Sequence, residues 1–549
     1  MVRSLLRFIA VYFFGLAVAC ALVKREFSLH PSAGGEVITS VWEEGELIER
    51  VVVADQGMRD PRIDRALADS KGELVFETVV ADSPILNWTE LILGLSLVPG
   101  RDGLRARLGD ATTYVTPDDL LSRQLFDHGL RIQTLSIALG LDTVGLAQLL
   151  AEKFKTSPER LLERVSLRRI RVERHTSYER PRITPDGLNR EQVKEAIVAA
   201  ARYLGHAVSN EGRFRYTVQA PSNRELPGYD WPRHAGATYF LAQVAGLTRD
   251  PFLADACRRA ASLLRGGALT SCGGLPCVGD EPIVTLGSSA LALLAFAEIV
   301  ERNIDSGYRT IVADMARFVR SQQRADGEFM HDYDRQAGRP IDRQGLYYSS
   351  EATLALARAY AITRDPADLD AAVRGLRHLV GPAWSFFGDR YYFGEEHWTC
   401  QAFAALWPYA PDRAALDFCL RWQAFGRKIQ QREGDSYFDA DGAIGVGPVV
   451  TPRLTPVASR CEAAVATLDV ARRSGVPAQE IAELDAQLRR ALALLMRQQF
   501  RPGSRHLFKS PADVYGAVPG SEVDWELRID YTQHAGSAMV RWLEVIAGG

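Results

Sequence analysis

From Gln192 to the C-terminus, apolar and charged positions recur at helical spacing in two alternating kinds of segment. Gln192–Leu204, Pro251–Leu264, Tyr308–Gln322, Ala367–Val380, Arg413–Gln423 and Ala478–Gln498 mix charge with apolar residues. Each predicts an amphipathic helix with one wet face. Ala235–Val244, Ser289–Val300, Glu351–Ala361, Trp398–Trp407, Glu462–Ala471 and Ala535–Ile546 are rich in alanine, leucine and small residues and carry less charge. That is the pattern of helices enclosed on most sides. Six outer helices alternating with six inner ones predict a mainly α fold, an (α/α)6 toroid of six helical hairpins over residues 182–549. The sixth pair closes on the first. The starts of the inner helices, and the long loops before them, gather at one end. Glu211-Gly-Arg-Phe-Arg-Tyr216 and Asp326-Gly-Glu-Phe-Met-His331 each follow an outer helix and predict a glycine turn with an aromatic plug beneath the rim.

Residues 30–181 follow a different pattern. β-Branched, alternating runs at Glu36–Trp42, Glu46–Val53, Glu73–Val80 and Ser166–Arg174 predict strands, and Leu104–Leu108 with Ala111–Val115 predict a hairpin. Asp60–Asp69, Leu146–Phe154 and Pro158–Val165 predict helices, and Thr116 is placed to cap another. The expectation is a small α+β accessory domain without a catalytic motif. Ahead of it, Arg3 and Arg7 lead into the apolar run Phe8–Val23, closed by Lys24 and Arg25. Residues 1–29 thus predict a signal peptide or membrane anchor, with residues 5–23 in the membrane, and Ala17-Val-Ala-Cys20 loosely matches a lipidation site. Each version exports the rest of the chain to the cell envelope, anchored on the outer side of the inner membrane or secreted.

Export permits disulfides. Cys272 and Cys277, in Ser-Cys-Gly-Gly-Leu-Pro-Cys, predict a small disulfide ring. Cys257, Cys400, Cys419 and Cys461 lie in helical patterns and read as buried small apolar residues. The 549 residues are 47% hydrophobic and 24% charged, which predicts ordinary globular cores. A net charge of -3 excludes nucleic acid as the main partner. Arginine far outnumbers lysine, as in a GC-rich bacterial genome.

Candidate chemistry concentrates at the inner-helix starts. Gly228-Tyr-Asp-Trp-Pro-Arg-His-Ala-Gly236 and Ile529-Asp-Tyr-Thr-Gln-His-Ala-Gly536 share Asp-x-x-x-His-Ala-Gly and are expected to face each other across the mouth of the ring. The other starts carry Ser288 and Ser289, Tyr347-Tyr-Ser-Ser-Glu351, Glu395-Glu-His-Trp398 and Ser459-Arg-Cys-Glu462. Ser288, Ser349 and Ser459 read as caps, since no Gly-x-Ser-x-Gly elbow surrounds them. Glu351 and Glu462, placed in first turns, suit either a helix-dipole or a site role. His234 and His534 gain nothing from a helix N-terminus, so they are marked for the site, with Asp230 and Asp530 to orient them.

This architecture and rim chemistry resemble the six-hairpin glycosidase-like superfamily of glycoside hydrolases, polysaccharide lyases and sugar epimerases. The resemblance covers Gln192 onward and implies a glycan substrate at the inner-helix rim. It implies glycoside hydrolysis by a carboxylic acid and a carboxylate drawn from Asp230, Glu351, Glu396 and Asp530. In a lyase or epimerase, His234, His534 or Tyr531 would take a proton beside a carboxylate neutralised by Arg233 or Arg460. Trp231, Tyr348, Trp398 and Tyr531 would stack on sugar, with His397 and Gln533 beside them. Three further readings are a non-catalytic glycan-binding toroid, a terpene-cyclase-like toroid and a zinc toroid. The second rests on Gln323-Arg-Ala-Asp-Gly-Glu-Phe329, without an Asp-x-Asp-Asp centre; the third on Cys400, Cys461, His397 and His534. The expectation is no cofactor and no metal.

Overall fold

The computed structural model describes residues 30–31, 35–53, 60–85, 90–126, 128–132, 135–176, 183–383, 397–433, 440–445 and 451–547. Residues 1–29, where a signal or anchor is expected, including Cys20, and the pair Glu395 and Glu396 lie outside the described residues. Among the described residues, no helix is long and apolar enough to cross a membrane.

Twelve helices form the expected hairpins. The outer helices are α1 (Arg190–Ala207), α3 (Pro251–Leu263), α5 (Arg309–Ser321), α7 (Pro366–Val380), α9 (Arg413–Lys428) and α11 (Ala478–Gln498). The inner helices are α2 (Trp231–Thr248), α4 (Leu286–Glu301), α6 (Tyr348–Thr363), α8 (His397–Leu406), α10 (Leu454–Arg473) and α12 (Ile529–Ala547). Each inner helix packs on the next, and α12 packs on α2, so the ring is closed. The inner helices are buried nearly all round, as α4 is from Leu286 to Val300.

Turn chemistry sets the hairpin order. Thr-Arg-Asp-Pro occurs at 248–251 and at 363–366, each time joining an inner helix to the next outer one. Arg249 and Arg364 take the left-handed conformation that ends a helix, and Asp250 and Asp365 cap the next one at its first backbone amides. The two Gly-x-Phe loops behave as expected. Gly212 and Gly327 have φ of +89° and +92°, and a Cβ there would meet the backbone oxygens of Arg259 and Arg374 at 2.1 and 2.6 Å. Phe214 and Phe329 are fully buried beneath them.

The Ala-Gly of the repeated motif has a packing role. A Cβ at Gly236 would lie 3.0 Å from Gln533 Oε1, and one at Gly536 would lie 2.2 Å from Phe240 Cζ. The repeat therefore brings α2 and α12 close together where the ring closes. The two polar clusters meet side by side there, with Arg233 3.4 Å from Asp530, instead of facing each other across the mouth.

The first region is an antiparallel sheet of β1 (Val37–Glu43), β2 (Glu46–Val53), β3 (Glu73–Pro84), β4 (Asp102–Leu108), β5 (Ala111–Val115) and β6 (Ser166–Thr176), in the order β2-β1-β3-β6-β4-β5. Helices Pro61–Asp69, Pro117–Ser122 and Thr143–Phe154 flank it, and the Pro158–Val165 helix shrinks to Leu161–Arg164. Thr116 caps Pro117–Ser122 as expected. The sheet rests against the segment leading into α12. His506 Nε2 lies 2.8 Å from Asp118, Arg505 pairs with Glu73, and the Trp525 amide donates to Gln124 at 2.8 Å. This contact holds the accessory region at the rim end of the sixth hairpin.

Two disulfides are present among the described residues. Cys272–Cys277 is the expected one; Cys400–Cys419 ties inner α8 to outer α9. The second corrects the reading of Cys400 and Cys419 as plain buried residues. A 19-residue separation inside two helical patterns gives no sign that their faces meet. Cys257 and Cys461 are free and buried.

Candidate functional site

At the rim, α8, α10 and α12 bring His397, Glu462 and His534 together. His534 Nδ1 lies 2.8 Å from Glu462 Oε2, and His397 Nε2 lies 3.7 Å from the same oxygen. The two imidazole centroids are 5.3 Å apart, and Trp398 stands 4.4 Å from His397 and 5.9 Å from His534. Helix α10 begins at Leu454, eight residues before Glu462, because Pro456 is tolerated in a first turn. Glu462 is thus two turns into the helix, too deep to serve the dipole. Ser459 is likewise mid-helix, bonded to the Thr455 carbonyl at 2.9 Å, and is not a cap.

Glu462 is fully buried, and its surroundings differ from those of the other buried acids. Among the described residues, the remaining carboxylates no more than 1% exposed are Glu77, Asp102, Asp118, Glu298 and Asp368, and each pairs with an arginine. Among the described residues, Glu462 has the two imidazoles instead. Its Oε1 has no hydrogen-bond partner among the described residues. A buried carboxylate without a full counter-charge is costly, which sets this centre apart from the arginine-paired acids.

Beside this cluster runs an arginine-laced wall. Arg528 donates to both oxygens of Asp530 at 2.6 and 2.9 Å. Burial pushes the Asp530 carboxyl up, but the hydrogen bonds and charge of Arg528, with the charge of Arg233, outweigh it and hold the group below its usual range. Asp530 is therefore an anion. Asp230 caps α2 through the Arg233 amide and accepts from the Arg233 guanidinium at 2.7 Å. Tyr531 is buried, its hydroxyl accepts from Arg453 at 2.9 Å, and burial pushes its pKa up to about 12. Arg453 and Arg528 escaped the sequence reading, because one stands just ahead of α10 and the other ends a three-residue strand, and neither belongs to a motif.

His234 points the other way. Its Nε2–H donates to the Ala260 carbonyl of outer helix α3 at 2.9 Å, and the Tyr229 hydroxyl donates to Nδ1 at 2.7 Å. Both nitrogens are engaged and the residue is 0% exposed, so the geometry directs it between α2 and α3, away from the hollow. Trp231 packs on the same ring, 5.5 Å between centroids. We predict that His234→Ala lowers stability by about 1–3 kcal/mol in a denaturant titration, through two lost buried hydrogen bonds. Burial also pushes the ring down to about 4, against 6.5 when unfolded. The unfolded chain then takes up the proton first, so stability is complete above pH 6.5 and falls as pH drops toward 4. The expected loss is about 2 kcal/mol between roughly pH 7 and pH 5, and His234→Asn should lack it.

The remaining candidates are spread around the rim. Gln533 is buried between α12 and α2, within 3.5 Å of Ser537, which donates to Gln243. Arg460 is 8% exposed and donates to the Pro456 carbonyl at 3.3 Å. Glu351, in the first turn of α6, and Tyr348 both lie over Gly287, where a Cβ would come within 2.6 Å of Glu351 Oε2. Ser288 is not a cap either, since Thr285 caps α4. Ser349 lies 2.7 Å from His331 Nε2 and donates to Glu328. The Gly345 amide donates to His331 Nδ1 at 2.6 Å, so Nε2 carries the proton and donates to the serine. The serine cannot be activated by that ring, and this set is a cross-link beneath the rim.

No protein-family model matches the chain, and no curated protein matches it. Among solved structures, it resembles a D-mannose isomerase at 12% identity, covering 66% of this chain and 99% of that one, with a TM-score of 0.50. It also resembles the cellobiose 2-epimerase of Bacillus thermoamylovorans B4167 at 8% identity, covering 64% of this chain and 98% of that one, again with a TM-score of 0.50. At these identities the likeness is one of fold, and the fold of this chain is the (α/α)6 toroid.

Proposed function

We propose that the chain is a carbohydrate-active enzyme that moves a proton at a sugar carbon, as an isomerase or epimerase does, at the His397–Glu462–His534 cluster. The observation that carries this is a fully buried carboxylate that, among the described residues, meets two imidazoles on neighbouring inner helices and no arginine. Glu462 accepts from His534 Nδ1–H, which sets the tautomer and leaves the lone pair on Nε2. Imidazole is the side chain whose ordinary pKa suits taking and returning a proton near neutrality. His397 supplies a second imidazole on the same carboxylate. One ring would remove the proton from the carbon next to a sugar carbonyl, and the other would serve the carbonyl oxygen. Trp398 forms a flat apolar wall beside both.

This reading is favoured over hydrolysis by Asp230 or Asp530. Hydrolysis needs one carboxylic acid that keeps its proton. Asp530 is held ionised by two arginines, and Asp230 is bound to Arg233. Two solved structures that share the fold are by name an isomerase and an epimerase of sugars, which supports a sugar substrate. The test is to incubate the protein with reducing sugars in D2O and follow them by NMR. Deuterium entering the carbon beside the carbonyl is the expected result. New reducing ends from a glycan, without deuterium, would instead mean hydrolysis.

We also propose that the chain works outside the cytosol, in the cell envelope. Two disulfides in the described residues favour an oxidising compartment. A phosphatase that needs the envelope for activity, fused after residue 29, should be active; an inactive fusion retained in the cytosol would refute export.

A further inference from the structure

We infer that His397, Glu462 and His534 also form a binding site for a divalent transition metal, zinc foremost, and that an ion held there blocks the proton transfer proposed above. The inhibitory part rests on that functional reading; the metal site does not.

Three observations carry the site. First, the three potential ligand atoms lie within 4.8 Å of one another. A zinc ion at about 2.0–2.1 Å from each ligand places tetrahedral ligand atoms about 3.4 Å apart. The separations of 2.8 Å, from His534 Nδ1 to Glu462 Oε2, and 3.7 Å, from His397 Nε2 to the same oxygen, bracket that value. The two imidazole ligand atoms, within 4.8 Å of each other, would close to that value by a side-chain adjustment of up to about 1.4 Å. Second, two imidazoles and one carboxylate are a ligand set suited to zinc with a fourth position left open. Third, the charge balance calls for a cation. Glu462 is the one carboxylate no more than 1% exposed, among the described residues, that has no arginine, and its Oε1 lacks a hydrogen-bond partner. A divalent ion would compensate the charge and could engage that second oxygen.

The ligands are also held rigidly and can be reached. They stand on α8, α10 and α12, which pack side by side, and Cys400–Cys419 ties the first of these to its outer neighbour. His397 and Glu462 are buried, while the His534 side chain is 14% exposed and marks the way in. Of the zinc set drawn from sequence, the two histidines remain and Cys400 is lost to the disulfide. Glu462 takes its place.

Occupancy and proton transfer exclude each other. Zinc would displace to solvent the proton on His534 Nδ1, which Glu462 uses to fix the tautomer, and would occupy His397 Nε2 as a ligand. Neither ring could then exchange a proton with substrate.

The test is a calorimetric zinc titration of the chelator-stripped full chain, with melting temperature as a second readout. One equivalent should bind and raise the melting temperature. His397→Ala and His534→Gln should each weaken binding by more than the 10- to 100-fold that outer-shell changes cost. Should either variant fail to fold, cobalt substitution in the wild type gives an independent answer: visible bands of a four- or five-coordinate ion support the site, and purely octahedral bands overturn it. No binding, or binding unchanged in a folded variant, also overturns it. Deuterium exchange into sugar that stops with zinc and returns with chelator supports the inhibitory part. Exchange that requires zinc keeps the metal site but sinks both its inhibitory role and the metal-free proton transfer.

Discussion

His534→Gln is expected to slow deuterium exchange into a reducing sugar by roughly 100- to 10,000-fold, the usual contribution of one general acid or base. Glutamine can still donate to Glu462 Oε2 in place of the Nδ1–H at 2.8 Å. The buried carboxylate therefore keeps its hydrogen bond, and the melting temperature should change little. What the amide cannot do is take up a proton. Loss of rate with retained stability separates a chemical role from a packing role. His534→Ala is the less informative variant, because it strips Glu462 of its hydrogen bond as well. A His534→Gln protein that exchanges at the wild-type rate would remove His534 from the chemistry.

The second large effect lies at the opposite end of the ring. Glu298 is 1% exposed on α4, 2.8 Å from Arg302 and 2.5 Å from Arg358 of α6. Arg302 continues to Glu544 of α12 at 2.6 Å, and Arg358 also pairs with Glu301. This network ties three inner helices together below the site. Glu298→Ala leaves buried guanidinium groups short of a counter-charge and should cost about 3–5 kcal/mol in a denaturant titration. A loss below about 1 kcal/mol would mean that the remaining glutamates compensate. Burial pushes the Glu298 carboxyl up, but Arg358 and Arg302 outweigh it and hold it below 4.5. Its contribution is therefore complete above about pH 4.5 and drains away as pH falls through the folded value. The variant should be less sensitive to acid than the wild type.

All twelve toroid helices were legible, because outer helices carry one wet face and inner ones almost none. Their starts were less so. Helices α2 and α10 begin at Trp231 and Leu454, well before the alanine-rich runs, since Pro232 and Pro456 fall in first turns where proline is tolerated. That shift hid the depth of Glu462. The Asp-x-x-x-His-Ala-Gly repeat was visible, yet its two histidines face different neighbours: His534 meets Glu462, and His234 meets Ala260 of an outer helix. Motif identity cannot say which way a ring turns, because that depends on the partners on either side. Short rim pairings such as Thr217–Gln219 with Glu526–Arg528 join segments some 300 residues apart and left no local pattern.

The measurement closest to the core of this account is a double-mutant cycle on sugar exchange, using His397→Ala, His534→Gln and both together. If one buried carboxylate makes the two rings a single working unit, the double variant should be no slower than the slower single variant. Losses that multiply would mean that the two histidines act independently, and that the rim of this toroid holds no shared proton-transfer centre.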